Sequence, residues 1–147
     1  MVKLSRSDLQ KLADQKESPS ISIYMPAEKA GAETRKNPII FKNLISEAEE
    51  KIEQFNYANK NLVDVLNSAK EYIENYDFWQ NQDCGLAFFI NDSGIKYYRL
   101  PHSFEQQVEV SDRFYLKPLL PVISNDSKFY LLTLAQNQVQ FFQGSHY

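Results

Sequence analysis

The apolar residues of this chain do not keep a single period. Between Phe41 and Tyr76 they recur every three or four positions, and beyond Trp79 they run continuously or alternate. Spacing of the first kind buries a helical stripe and spacing of the second kind buries a strand, so an all-helical or all-strand fold is excluded. Phe41, Leu44, Ile45, Ala48, Ile52 and Phe55 fall within an apolar stripe roughly 100° wide, behind Asn37-Pro38, which reads as an N-cap followed by proline at the first helical position. Leu62, Val65, Leu66, Ala69, Ile73 and Tyr76 write a second long helix, capped by Asn59 or Asn61, that packs antiparallel to the first.

Strands bracket this pair. Ser20 to Met25 alternates, with Ile21, Ile23 and Met25 on one face, and predicts a half-buried strand closed by Pro26. Leu86 to Ile90 and Ile95 to Leu100 flank Asn91-Asp92-Ser93-Gly94 as a hairpin, and Gln107 to Val110 adds a further strand. Before the first strand, Ser5 or Ser7 caps a short helix carrying Leu9 and Leu12, with Asp8 or Gln10 completing a capping box. Phe114 to Ile123 is broken by Pro118 and Pro121 and reads as a short helix or turn, and Phe129 to Phe142 reads as a last hairpin around Gln136-Asn137. The expected fold is α+β, a mixed or mostly antiparallel sheet covered by two long helices, in the order α-β-α-α-β-β-β-(α)-β-β.

At 147 residues the chain has the size of one domain. Four glycines leave no phosphate loop, dinucleotide fingerprint or nucleophile elbow. His102 and His146 lack partners at ligand spacing, so neither a metal site nor a cofactor is expected. The lone Cys84, followed by the apolar run from Gly85 to Ile90, reads as an inert buried thiol of a reducing compartment. No apolar run reaches the ~18 residues of a membrane span, and a cytoplasmic protein is expected. A catalytic role would require scattered carboxylates such as Asp83, Asp112 and Asp126 to converge.

The formal net charge of −3 argues against a generic nucleic-acid binder, but the charge is unevenly spread. Residues 1 to 60 carry ten basic and nine acidic side chains, whereas residues 61 to 147 carry six and ten. Any polyanion contact should lie in the first half. Arg35 and Lys36 stand just before a helix N-terminus, where backbone N–H groups already favour an anion, with Lys29 before them and Lys42 after. Arg113 and Lys117, interleaved with Phe114 and Tyr115, form a second candidate, because such a pattern neutralises phosphate and stacks on bases, although the structural alternative, in which Arg113 neutralises Asp112 and Phe114 enters the core, is preferred. Tyr97 with Arg99 reads equally as a stacking platform or as a sheet face lying under a helix.

Ordered blocks then carry a resemblance. Ser20-Ile21-Ser22-Ile23-Tyr24-Met25-Pro26, Gly31, Thr34-Arg35, Asn37-Pro38-Ile39 and Phe41-Lys42-Asn43-Leu44 with Glu47-Ala48-Glu49 resemble the opening of the bacterial archaeo-eukaryotic release factor-like proteins, third family. Gly85-Leu86-Ala87 into Tyr97-Tyr98-Arg99-Leu100-Pro101, Asp112-Arg113-Phe114 with Leu116 to Pro121, and Phe129 to Leu132 with Gln136-Asn137 and Gly144 continue it. The resemblance implies the amino-terminal part of a longer multidomain protein, with the hairpin from about Lys128 beginning or abutting the next domain. It implies a translation-associated domain that contacts ribosome or tRNA, in ribosome rescue or quality control, beside downstream domains of the same protein. The Gly-Gly-Gln loop of peptide release is absent from the 147 residues, as are the Asn-Ile-Lys-Ser and Tyr-x-Cys-x-x-x-Phe patterns of stop-codon reading. A non-catalytic RNA-facing domain using Arg35, Lys36 and Lys42, with Arg113 and Lys117 as secondary contacts, is therefore the first expectation. The alternative is a protein-interaction or interdomain packing module without direct RNA binding.

Overall fold

The computed structural model describes residues 4–15, 19–29, 31–55 and 60–122. Its centre is a four-stranded antiparallel sheet in the order β3-β2-β1-β4, built from β1 (Ser20–Pro26), β2 (Gly85–Asn91), β3 (Gly94–Leu100) and β4 (Gln107–Ser111). The mostly antiparallel expectation holds for the described strands. β1 pairs along its length with β2, from Ile21 opposite Ile90 to Pro26 opposite Gly85, and on its other side with β4, from Ser20 opposite Ser111 to Tyr24 opposite Gln107. β2 and β3 form the expected hairpin across Asp92-Ser93. Asn91 Oδ1 accepts from the Ser93 N–H at 2.9 Å, and Gly94 takes a φ of 139°, a conformation that side-chain-bearing residues rarely adopt. The proposed hairpin between Phe129 and Phe142 lies outside the described residues.

One sheet face carries Ile21, Ile23, Met25, Leu86, Phe88, Ile90 and Val108 against the principal helical layer. That layer contains α2 (Lys36–Gln54), α3 (Lys60–Lys70), a 3-10 turn over Glu71–Glu74 and α4 (Tyr76–Gln80). Phe41, Leu44, Ile45, Ala48 and Ile52 of α2 are buried as their spacing requires, but Phe55 sits at the helix end and is 57% exposed. The second helix is not one long helix. It spans 11 residues, tightens into the 3-10 turn and restarts at α4, where the Asn75 side chain accepts from the Phe78 N–H at 3.0 Å. This cap competes with helix continuation and explains the break. It also turns Tyr76, read as part of the apolar stripe, out to 73% exposure, while Phe78 and Trp79 go inward. Lys70 Nζ lies 2.7 Å from Glu49 Oε2 and ties α3 to α2.

The opposite sheet face is covered as well, so β1 is buried on both sides rather than half-buried. Ser20, Ser22 and Tyr24 have no exposed surface. Leu9, Leu12 and Ala13 of α1 (Arg6–Asp14), together with Phe104, Phe114, Leu116 and Leu119, complete this second core over Tyr24, Ala87, Phe89, Tyr98 and Leu100. The Ser5–Asp8 capping box is present in α1, with Asp8 N–H donating to Ser5 Oγ at 3.1 Å and Ser5 N–H donating to Asp8 Oδ2 at 3.0 Å. Those bonds from Ser5 hold the Asp8 carboxyl below its ordinary pKa. The proline-broken segment forms a 3-10 helix over Lys117–Val122.

Two polar groups of β1 fasten the second layer. Ser22 Oγ accepts from the Tyr115 N–H at 2.8 Å, and the Tyr24 hydroxyl donates to the Tyr115 carbonyl. The Tyr24 ring is packed edge-on against Phe89, Phe104 and Tyr115, at centroid distances of 5.9, 5.2 and 6.4 Å. Burial pushes the Tyr24 hydroxyl well above its ordinary pKa and keeps it a neutral donor. Tyr24→Phe leaves the Tyr115 carbonyl unpaired and should cost about 1–3 kcal/mol in urea unfolding at neutral pH. Because the folded pKa of Tyr24 is raised, its contribution is complete below the unfolded value of about 10 and is lost as pH rises through the folded value. The loss of stability of the native chain above that pH should therefore be smaller in the Phe variant. A Cβ at Gly85 would lie 2.0 Å from the His102 carbonyl oxygen and 2.8 Å from the Phe104 ring. Gly85→Ala should accordingly cost ~3 kcal/mol, and an unchanged unfolding midpoint would contradict this packing.

Candidate functional site

The two cationic groups lie on opposite faces of the sheet. Arg113 and Lys117 flank the segment that Ser22 and Tyr24 hold on the α1 side, beyond the Ser111 end of β4. Arg113 Nε is 3.8 Å from Asp112 Oδ1, and Phe114 enters the second core. Arg35, Lys36 and Lys42 belong to the other layer, at the head of α2, and all three are exposed. The structure therefore does not bring the five residues together. Asp83 precedes β2 at one end of the sheet and Asp112 follows β4 at the other, so those carboxylates do not converge, and Asp126 lies outside the described residues. Among the described residues no three His, Cys, Asp or Glu side chains group as a metal site, and no helix is long and apolar enough to cross a membrane.

Hydrogen bonds hold the basic loop after β1 at several points, while the Lys29 and Arg35 side chains stay exposed. The Ala27 N–H donates to the Cys84 carbonyl at 2.9 Å and extends the β1–β2 pairing by one residue. Asn37 is not the helix cap; it lies inside the first turn of α2, fully buried, after a 3-10 turn over Ala32–Arg35. Its side chain bridges back across the loop, Oδ1 accepting from the Glu28 N–H at 3.0 Å and Nδ2 donating to the Glu28 carbonyl at 3.1 Å. Pro38 follows within the first turn, where its missing N–H costs no intrahelical bond. Gly31 adopts a φ of 85°, and its carbonyl accepts from both the N–H and the hydroxyl of Thr34, at 3.2 and 2.7 Å. Gln80 Nε2 then donates to Thr34 Oγ1 at 2.7 Å and joins the loop to α4.

That last bond gathers a site at the Pro26 end of the sheet. Gln80 lines two adjoining depressions. The larger, about 830 Å³, is a groove between α4 and β3, with Lys29, Arg99, Tyr72, Phe78 and Tyr97 in its lining. The smaller, about 260 Å³, lies between the α2 head and α4, where Arg35 and Pro38 meet Ile73, Tyr76 and Trp79. The Arg99 guanidinium carbon is 5.0 Å from the Phe78 ring centre and 5.4 Å from that of Tyr97, so this sheet face is partly roofed by α4 and keeps a cation at its margin. Tyr97 stacks on Phe88 at 12° and meets Tyr72 edge-on, and burial raises the Tyr72 hydroxyl pKa. Lys29 Nζ stands 3.6 Å from Asp83 Oδ1, which also accepts from the Cys84 N–H at 2.8 Å. Cys84 itself is half-buried, not fully enclosed as the apolar run after it suggests.

Arg35 thus comes together with Lys29 and Arg99 rather than with Arg113 and Lys117. Along α2, Arg35 and Lys42 are seven residues apart, about 10 Å of helix and nearly the same azimuth, with Ile39 between them at 62% exposure. The amides of Gln80, Asn81 and Gln82 were not singled out from sequence. A run of amide side chains between a helix and a buried strand is their one signal there, and it does not tell a groove wall from an ordinary loop.

Asn37 is the residue on which the geometry of the basic loop depends. Asn37→Asp keeps an acceptor for the Glu28 N–H but removes the donor to the Glu28 carbonyl, and it should cost about 1–3 kcal/mol while speeding amide exchange at Glu28 and Thr34. Unchanged exchange there would show that the loop is held by other contacts. No family model matches the chain, and no significant match is found among curated proteins.

Proposed function

We propose that this chain is a non-catalytic, translation-associated domain that contacts ribosomal RNA or tRNA through the α2 head, as the amino-terminal part of a release factor-like protein. The observation that carries this reading is the exposure of Arg35, Lys36 and Lys42 on the first turns of α2, beside Lys29 and Arg99 at the same end of the sheet. An exposed cation row at a helix N-terminus suits phosphate, and the ordered sequence blocks resembling the release factor-like family supply the translational context. Arg113 and Lys117 face elsewhere and are secondary at most. A ribosome-bound role in rescue or quality control follows from the same resemblance, and the single Cys84 suits a reducing, cytoplasmic setting.

A second reading has its own observation. Ile39 and Tyr76 are large, exposed and apolar on the helical layer, which suits packing against another protein domain. Salt separates the two, because release of counterions from RNA makes phosphate contacts steeply salt-dependent.

Co-sedimentation with bacterial ribosomes over a salt series should show binding that weakens as salt rises. The triple variant Arg35→Glu, Lys36→Glu, Lys42→Glu should lose at least tenfold in affinity and flatten the salt slope, at unchanged thermal stability. Equal binding by the folded variant would contradict the RNA-facing reading. Salt-insensitive binding that depends on Ile39 and Tyr76 would favour the packing module.

A further inference from the structure

The groove between α4 and β3 has a hydrogen-bonding composition that its structural role does not account for. Asn81 Nδ2 donates to the Asp77 carbonyl at 2.7 Å, Gln82 Nε2 donates to the Phe78 carbonyl at 2.8 Å, and Gln80 Nε2 donates to Thr34. Each amide commits one N–H to holding α4 and the adjoining loop, and none of the three carbonyl oxygens is used by these bonds. Gln82 is 7% exposed, and its Oε1 is shut off from water without any partner. Arg99 shows the complementary fault, because its Nε is buried with no acceptor. An unpaired buried acceptor and an unpaired buried donor are each costly, yet both occur in the lining of one groove.

Arg99 is also an unusual choice for sheet packing. Its guanidinium lies against the Phe78–Tyr97 ring pair, and among the described residues no carboxylate forms an ion pair with it. A cation packed on aromatic rings without an ion-pair partner is suited to an anionic ligand that arrives from outside, with Asp77 as the one carboxylate in the groove lining. Lys29 adds a second, exposed cation whose present partner, Asp83, is 3.6 Å away and can be exchanged for a phosphate at small cost. The groove volume of about 830 Å³ falls within the range of small-molecule sites.

We propose that this groove binds one unpaired nucleotide unit, with its phosphate at Arg99 and Lys29 and an N–H donor of its base at Gln82 Oε1. Gln82 Oε1 and Arg99 Nε are covered in the unliganded chain, so binding requires the two side chains to turn, and in Gln82 this turn competes with the bond to the Phe78 carbonyl. The shared chemistry is a phosphate joined to a hydrogen-bond-donating base, and its source is either a free nucleoside monophosphate or a single-stranded RNA. Arg35, Lys36 and Lys42 take no part in this inference, although Lys29 and Arg99 also belong to the cationic end on which the proposed RNA contact rests.

The test is an amide chemical-shift titration of the chain with AMP, with adenosine, with ribose 5-phosphate and with a short unpaired oligoadenylate. AMP should produce saturable shifts at Asn81, Gln82, Phe78 and Arg99, and it should bind at least tenfold more tightly than adenosine or ribose 5-phosphate. Arg99→Gln should reduce AMP affinity to about that of adenosine, and Gln82→Met to about that of ribose 5-phosphate. Unchanged β1 shifts report that each variant is folded. Because Gln82 also holds the Phe78 carbonyl, Lys29→Gln at the exposed rim is the third variant, and it should weaken AMP and ribose 5-phosphate alike. Oligoadenylate binding more tightly than AMP identifies an RNA strand as the source, and equal affinities identify the free nucleotide. The proposal is overturned by the absence of saturable shifts in the groove, by AMP and ribose 5-phosphate binding equally, or by AMP shifts confined to residues 35–42.

Discussion

Burial of β1 on both faces is the constraint from which the rest of this structure follows. A strand with apolar partners on one side and Ser20, Ser22 and Tyr24 on the other needs two separate layers, and its polar side must be hydrogen-bonded as well as covered. Tyr115 meets that need through both its N–H and its carbonyl, which draws the segment after β4 across the sheet. That segment carries Arg113 and Lys117 with it. The separation of the two cationic groups is therefore a consequence of how the second core closes, and it leaves the opposite layer to carry the candidate site.

On the helical side, a comparable dependence runs from Asn75 to the loop after β1. The Asn75 cap stops the second helix, α4 turns Phe78 and Trp79 inward, and Gln80 is brought within hydrogen-bonding distance of Thr34. Asn37 then fixes the other end of the same loop through Glu28. Together these bonds place Lys29, Arg35 and Arg99 around one end of the sheet, although they are distant in sequence. A cap that breaks a helix is here what positions the site.

Much of the fold was legible because periodicity reports burial directly. The α2 stripe, the β2–β3 hairpin with Gly94 and the Ser5–Asp8 capping box all follow from spacing and local chemistry. The departures have local causes too. Asn37-Pro38 has the residues of a helix start, but the preceding 3-10 turn moves the start to Lys36 and frees Asn37 to bridge the loop. Alternation in β1 implies an exposed face, and a serine–tyrosine face gives no warning that a distant segment will cover it. The groove was not legible, since the loss of Gln82 and Arg99 hydrogen-bond partners exists only once α4 lies over β3. The α2 head could be read as a cation row, whereas its company with Arg99 rather than Arg113 depends on topology.

On the proposed reading, one end of one layer, not the molecule's charge as a whole, meets RNA. Hydrogen-exchange footprinting of the chain on bacterial ribosomes at low salt tests this most directly. Protection should be confined to the loop after β1, the first turns of α2 and α4, with exchange in residues 112–117 unchanged. Protection centred on residues 112–117, or spread evenly over both layers, would contradict it.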